Sequence, residues 1–285
     1  MGDNVDKLVS TEWLAEELGA EDLRVFDATV FLGRNDDGTP TIESGRGAFD
    51  KAHIPGSGFI DIISEISDTA SSLTFTAPSP DQLAATLADR GVGTGTRVVF
   101  YDRTMNMWAT RAWWLLRSIG FDSAAVLDGG WKAWTTDGRE VSTEQAPAHP
   151  RGDLLAADNS AVFVGSDAVR QATDDNSVCI INSLSADQHS GADLSYGQPG
   201  HIESAVNVPA MGLVDPTTHR YRPLDELAND FDGVGATGSR VITYCGGGIA
   251  ATSDAFILTL LGHEDVAVYD GSLRDWVGQG LPLVV

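Results

Sequence analysis

Lysine is nearly missing from this chain. Lys7, Lys51 and Lys132 are the only three in 285 residues, and 41 acidic against 18 basic side chains leave a formal net charge of −23. An acidic excess of that size repels phosphate backbones, which excludes nucleic acid as a partner. Scarce lysine beside abundant Asp also suits a protein kept soluble in concentrated salt, where screening removes the self-repulsion. Cysteine is scarce too. Cys179 and Cys245 are too few for a disulfide framework and fit a reducing, cytoplasmic compartment. No apolar run approaches the roughly 20 residues of a membrane span, so no membrane is expected as a partner. The start, "MGDNVDKLVSTEWL", lacks the basic and apolar regions of a signal peptide, and Asp6 stands where a myristoylation motif needs Ser or Thr. The six histidines are scattered singly without metal-ligand spacing, and there is no lysine-ended phosphate loop, so neither a metal nor a cofactor is expected.

What the chain does have is a repeat. "LVSTEWLAEEL", "LRVFDAT" and "AHIPGSGFIDI" are followed later, in the same order, by "FVGSDAVRQAT", "VCIINSL" and "GHIESAVNVPAM". "GTRVVFYD" and "AAVLDGGWKAW" likewise answer to "GSRVITYC" and "VAVYDGSLRDW". Asp27 thereby matches Asn182, His53 matches His201, Tyr101 matches Tyr244, Asp128 matches Asp270 and Trp134 matches Trp276. A chain of this length exceeds an ordinary single domain, and a duplicated unit of about 140 residues accounts for it. The expected division is a first domain over 1–140, an aperiodic linker rich in Ala, Pro and Asp over 141–160, and a second domain over 161–285.

Each copy alternates short apolar strands with helical stretches. The strands are Val25–Asp27, Val98–Tyr101 and Ala125–Leu127 in the first copy, and Cys179–Asn182, Val241–Tyr244 and Val266–Tyr269 in the second. The clearest helices are Pro80–Arg90, Trp108–Ile119 and Ala250–Leu261. Apolar strands without alternation, separated by helices, predict an α/β fold in which each domain has a parallel β-sheet with helices on both faces. A ligand in such a fold sits beyond the carboxyl ends of the strands.

Cys245 stands at such a strand end, in "TYCGGGIAAT". Gly246, Gly247, Gly248, Ile249 and Ala250 must turn the chain into the following helix. Glycines let backbone N–H groups converge with no side chains in the way, and the helix start adds unsatisfied donors and partial positive charge. The result is a cradle that stabilises a sulfur anion. Cys179, inside an apolar strand, reads as an inert core residue. A Cys-based phosphatase would need an Arg six residues after the nucleophile, and that position is Ala251; a persulfide needs only N–H donors. Sulfur chemistry is therefore favoured over phosphate chemistry.

The tandem copies, "AHIPGS" with "GHIESAVNVP", "VLDGGWKAW" with "VYDGSLRDW", and a Cys loop in the second copy alone resemble the two-domain rhodaneses, thiosulfate and 3-mercaptopyruvate sulfurtransferases. The resemblance implies two rhodanese-like domains and a catalytic Cys245. That residue would take sulfane sulfur from thiosulfate or 3-mercaptopyruvate as a persulfide under the amides of residues 246–250, then pass it to a thiol or cyanide acceptor. It also implies a silent first domain, because Asp102 stands where Cys245 does. The loop "CGGGIA" is closer to the family's mercaptopyruvate type, with Gly247 replacing a hydroxyl residue, and Leu184 and Gln188 stand at about the places of the family's donor-binding arginines. These departures leave a non-enzymatic persulfide carrier as the alternative. Candidate substrate-binding groups are then His53, Asp102, Arg103, Trp108 and Arg111. Against that, His53 can bond locally in its turn and Arg111 can pair with a carboxylate. Trp113 and Trp114 are expected in the core, and Asp128 and Asp270 at turns.

Overall fold

The computed structural model describes residues 6–157, 159–194 and 196–285. The chain forms two compact units. The first comprises Met1–Thr69, Ala77–Asn159 and Pro216–Arg220; the second comprises Ala70–Thr76, Ser160–Asp215 and Tyr221–Val285. Each half of the sequence thus lends a short excursion to the other unit, and the stretch after Asp137 joins the first.

In the first unit the elements are β1 (Leu8–Val9), α1 (Thr11–Glu17), β2 (Leu23–Asp27), β3 (Val30–Arg34), β4 (Pro40–Ser44), α2 (Arg46–Phe49), β5 (Gly58–Phe59), α3 (Pro80–Asp89), β6 (Arg97–Tyr101), α4 (Met107–Ser118), β7 (Ala124–Leu127) and α5 (Gly130–Thr136). The sheet order is β1-β7-β6-β2-β5, all pairs parallel. Alternate residues of the three central strands share one face, where Leu23, Val25, Val99, Tyr101, Ala125 and Leu127 join Leu14, Ile54 and Trp134 in one core. Val98, Phe100, Ala124 and Val126 fill the other face and are equally buried. Both faces are covered, so the strands read as continuous apolar runs. Helix starts follow local chemistry. Ser79 accepts from the Gln82 N–H at 3.3 Å with Pro80 in the first turn, and Ser10 accepts from the Trp13 N–H at 3.1 Å.

The second unit contains β8 (Phe163–Val164), α6 (Ser166–Ala172), β9 (Val178–Asn182), α7 (Ala186–His189), β10 (Val206–Asn207), α8 (Leu224–Gly233), β11 (Arg240–Tyr244), α9 (Ala250–Leu260), β12 (Val266–Tyr269) and α10 (Ser272–Gly278). Its sheet, β10-β9-β11-β12-β8, is again all parallel and follows the order of the first, strand for strand. The copies agree in their tethers as well. The Tyr101 hydroxyl accepts from the Ile54 N–H at 3.3 Å, and the Tyr244 hydroxyl accepts from the Ile202 N–H at 3.1 Å. Trp134 Nε1 donates to the Glu140 carbonyl at 2.7 Å, and Trp276 Nε1 to that of Pro282 at 2.9 Å.

The central strands and long helices fall where the apolar runs placed them, within a residue or two. Two-residue edge strands carry no pattern of their own. The antiparallel pair β3–β4 in the first unit has no counterpart among the described residues of the second. No helix among the described residues is long and apolar enough to cross a membrane, and no group of three metal-ligating side chains occurs among them.

Candidate active site

Cys245 is the first residue past β11, the central strand of its sheet, and is only 2% exposed. The chain then turns through three glycines to Ile249, which caps α9. The start of α10 grips this turn. Ser272 Oγ accepts from the N–H of Cys245 at 3.1 Å and of Gly248 at 3.0 Å, and donates to the Tyr269 carbonyl at 2.8 Å. The Leu273 N–H donates to the Cys245 carbonyl and the Arg274 N–H to the Gly246 carbonyl, both at 3.1 Å. Ser272 holds φ +51, a left-handed conformation that costs a residue with a Cβ about 1–2 kcal/mol and persists because its hydroxyl closes the turn.

One amide of the expected cradle is therefore committed elsewhere: the Gly248 N–H belongs to Ser272, not to the sulfur. The N–H groups of Gly246, Gly247, Ile249 and Ala250 donate to no acceptor among the described residues. With the first turn of α9 they form a set of unclaimed donors at a positive helix end. The three glycines differ in what they do. A Cβ on Gly246 would overlap the Tyr196 hydroxyl and ring, and Gly248 takes φ +77. At Gly247 a Cβ would meet nothing nearer than Arg274, at 3.8 Å.

Tyr196, Ser272 and Arg274 were not singled out by the sequence. Tyr196 is half-buried. Burial chiefly, and then the neighbouring Cys245 charge, push its hydroxyl up to about 12, while Arg274 pulls it down. The exposed Arg274 guanidinium donates from Nη1 to Thr74 Oγ1 at 2.6 Å, within the same unit. One turn into α9, Asp254 is fully buried, and neither carboxyl oxygen has a hydrogen-bond partner. Burial raises this carboxyl well above its ordinary range, and the nearby Ser183 hydroxyl acts in the other direction.

The donor-binding candidates from the sequence have other occupations. Leu184 is buried at 8% exposure, and Gln188 belongs to the capping box of α7, its Oε1 accepting from the Ser185 N–H at 3.2 Å. His53 has both ring nitrogens against carbonyls, Phe49 and Glu144, each at 2.9 Å, and stacks on Phe49. Arg103 pairs with the buried Asp27 at 3.3 Å and lies over the Trp131 ring, 4.1 Å from its centroid. Trp108 and Arg111 are interior residues of α4, exposed by 1% and 0%. Trp113 and Trp114 are in the core as expected. Asp102 accepts from the N–H groups of Thr104, Asn106, Trp108 and Ala109 at 2.6, 3.1, 2.8 and 2.9 Å. Burial raises its carboxyl, and these four donors oppose that. Cys179 is half-buried on β9 with its thiol pushed up by burial, which keeps it an inert thiol.

Comparison with known proteins agrees with this geometry. The family model for the rhodanese-like domain matches residues 10–137 and 167–279. The chain is 31% identical over 284 residues to the thiosulfate sulfurtransferase of Gallus gallus, covering 96% of this chain and 94% of that protein. It is also 31% identical over 273 residues to the 3-mercaptopyruvate sulfurtransferase of Escherichia coli strain K12, covering 94% of each. Among solved structures, SseA from Escherichia coli, described as a 3-mercaptopyruvate sulfotransferase with the rhodanese fold, superposes with a TM-score of 0.82 at 29% identity. That match spans 94% of this chain and 99% of SseA. The repeat, the two like-ordered sheets and the single Cys loop thus have one common explanation: the chain belongs to the rhodanese family.

Proposed function

We propose that the protein is a sulfurtransferase in which Cys245 accepts a sulfane sulfur as a persulfide and passes it to a thiol or cyanide. The observation that carries this reading is the loop after β11, where a nearly buried sulfur precedes four unclaimed N–H donors at the start of α9. Such donors hold a delocalised anion without a fixed cation. Thiosulfate and 3-mercaptopyruvate are the donors named for the relatives, and they are the donors proposed here.

Two displacements suffice. The Cys245 thiolate attacks the outer sulfur of the donor, a sulfur–sulfur bond forms, and the pair of the broken bond leaves with sulfite or with the pyruvate enolate, which then takes a proton. The acceptor nucleophile next attacks the outer sulfur of the persulfide, and Cys245 leaves as thiolate. Asp102 supports a silent first domain, since a carboxylate already occupies the corresponding loop. The domain division at 1–140, 141–160 and 161–285 and a cytoplasmic, reducing setting for the two free cysteines complete the reading.

The test is cyanide-dependent thiocyanate formation with each donor, together with the intact mass of the protein. Wild type is expected to turn over and to gain one sulfur. Cys245→Ser should lower turnover by about a thousandfold or more and carry no added sulfur. Undiminished activity in that variant would remove the proposal. The occupied Leu184 and Gln188 favour a second reading, a persulfide carrier without turnover; it predicts the added mass on Cys245 but no catalytic thiocyanate.

A further inference from the structure

We propose that Arg274 and Tyr196 form the subsite that holds the oxyanion end of the sulfur donor beside Cys245. The proposal rests on the reading of Cys245 as the sulfur acceptor and adds to it the residues that select the donor.

Three observations converge on the same few atoms. The Arg274 guanidinium lies against Gly247, two residues past Cys245, 3.8 Å from where a Cβ would stand. Its backbone N–H is bonded to the Gly246 carbonyl at 3.1 Å, so the residue is anchored to the loop whatever its side chain does. The side chain bonds to a neutral hydroxyl, Thr74 Oγ1, and has no carboxylate within ion-pair distance among the described residues. A guanidinium has five donors in a planar fork, and one neutral partner leaves most of them for a ligand. Tyr196 lies against the neighbouring glycine, its hydroxyl in contact with Gly246 and without a hydrogen-bond partner among the described residues. Glycine at 246 is thus what lets Tyr196 reach the loop.

Charge gives the pair its purpose. A protein of net charge −23 repels an anionic donor, and the unclaimed amides are needed by the persulfide itself. A cation and a hydroxyl donor at the loop can instead take the sulfonate of a thiosulfate or the carboxylate of a mercaptocarboxylic acid. The guanidinium–oxyanion pair is charge-assisted, and the phenol adds one directional bond. As the donor's sulfur–sulfur or carbon–sulfur bond breaks, its electron pair leaves with the oxyanion-bearing fragment, which Arg274 holds equally before and during the step. The persulfide stays on Cys245.

The test compares Arg274→Ala, Arg274→Lys and Tyr196→Phe with the parent enzyme, using thiosulfate, 3-mercaptopyruvate and the uncharged donor dimethyl trisulfide. Arg274→Ala should raise KM for at least one anionic donor about tenfold or more with kcat within about threefold, Lys should recover part of this, and Phe should raise KM about threefold. The anionic donor whose KM moves is the one the subsite serves. Sulfur loading of Cys245 by dimethyl trisulfide, followed by intact mass, should be unchanged in all three variants. An Arg274→Ala enzyme with both anionic KM values within about twofold of the parent would overturn the proposal, as would an equal loss with the uncharged donor, the mark of a distorted loop. If the parent enzyme takes sulfur from none of the three reagents, the sulfurtransferase reading itself falls, a result distinct from either.

Discussion

In the first unit the residue after the central strand β6 is Asp102, whose carboxylate draws in four N–H groups from the turn and the first residues of α4. In the second unit the residue after β11 is Cys245, and the equivalent turn runs into α9 with four N–H groups unclaimed. Helices α4 and α9 start at the same distance from Asp102 and Cys245, so the backbone plan is shared. What differs is where the negative charge comes from. The first loop carries its own carboxylate, fixed by covalent bonds; the second leaves four N–H donors open, which the proposed persulfide would use. The first copy thus shows, within the same chain, that this turn collects an anion. A second difference supports the first. Gly130 and Ser272 occupy equivalent places with φ +50 and +51, but only Ser272 has a hydroxyl to hold the Cys245 and Gly248 amides. With Asp102 present the first loop has no need of that hydroxyl.

Removing the built-in anion should produce the largest effect. Asp102→Ala orphans the N–H groups of Asn106, Trp108 and Ala109 in the interior and that of Thr104 nearer the surface. At about 1 kcal/mol for each interior donor, the expected loss of stability is about 3 kcal/mol, read from urea unfolding. The same experiment on Cys245→Ala should cost less than about 1 kcal/mol, because the second loop is built to stand without a bound anion. Equal losses at the two positions would show that the loops are held together in the same way after all.

Ser272 sharpens the comparison further. Ser272→Ala leaves the amides of Cys245 and Gly248 without their acceptor and should slow sulfur transfer about tenfold through a loosened loop. Ser272→Gly imports the first copy's residue. It should be about 1 kcal/mol more stable than the Ala variant, since φ +51 no longer strains a Cβ, yet just as slow. If the Gly variant regained full activity, the hydroxyl would have no part in shaping the site.

The sequence made the duplicated architecture legible because the signal is local: strands buried on both faces are short apolar runs, and the Cys loop is a contiguous string of small residues. Tyr196 and Arg274 were hidden for the opposite reason. Tyr196 stands 49 residues before Cys245 in "GADLSYGQPG", a stretch with no apolar period, and only tertiary packing brings its hydroxyl over Gly246. Arg274 lies in the repeat as the counterpart of Lys132, so it reads as an exposed helix charge, and nothing local in the sequence ties it to the Cys loop. The first-unit candidates teach something different. Arg103 pairs with the buried Asp27, 76 residues earlier, and His53 bonds to the Glu144 carbonyl from a distant segment as well as locally to that of Phe49.

The two copies also carry a basic and an acidic residue at one interior position, since Arg111 in α4 corresponds to Asp254 in α9 and both are fully buried. Asp254 should make the second unit sensitive to alkali. Its carboxyl is raised well above the ordinary range by burial, so the folded chain keeps a proton that the unfolded chain releases above about pH 3.9. The native state then binds more protons than the unfolded one, and stability falls as pH rises from that point up to the folded-state value, by at most about 1.4 kcal/mol per pH unit. Relaxation around the charge reduces this, and the expected result is a fall in stability between pH 5 and pH 7. Asp254→Asn keeps the shape and cannot ionise, so its urea midpoint should change less over the same interval than that of the parent. Parallel pH profiles for the two proteins would mean that Asp254 is already ionised in the fold. The carboxylate would then need a compensating partner in the fold.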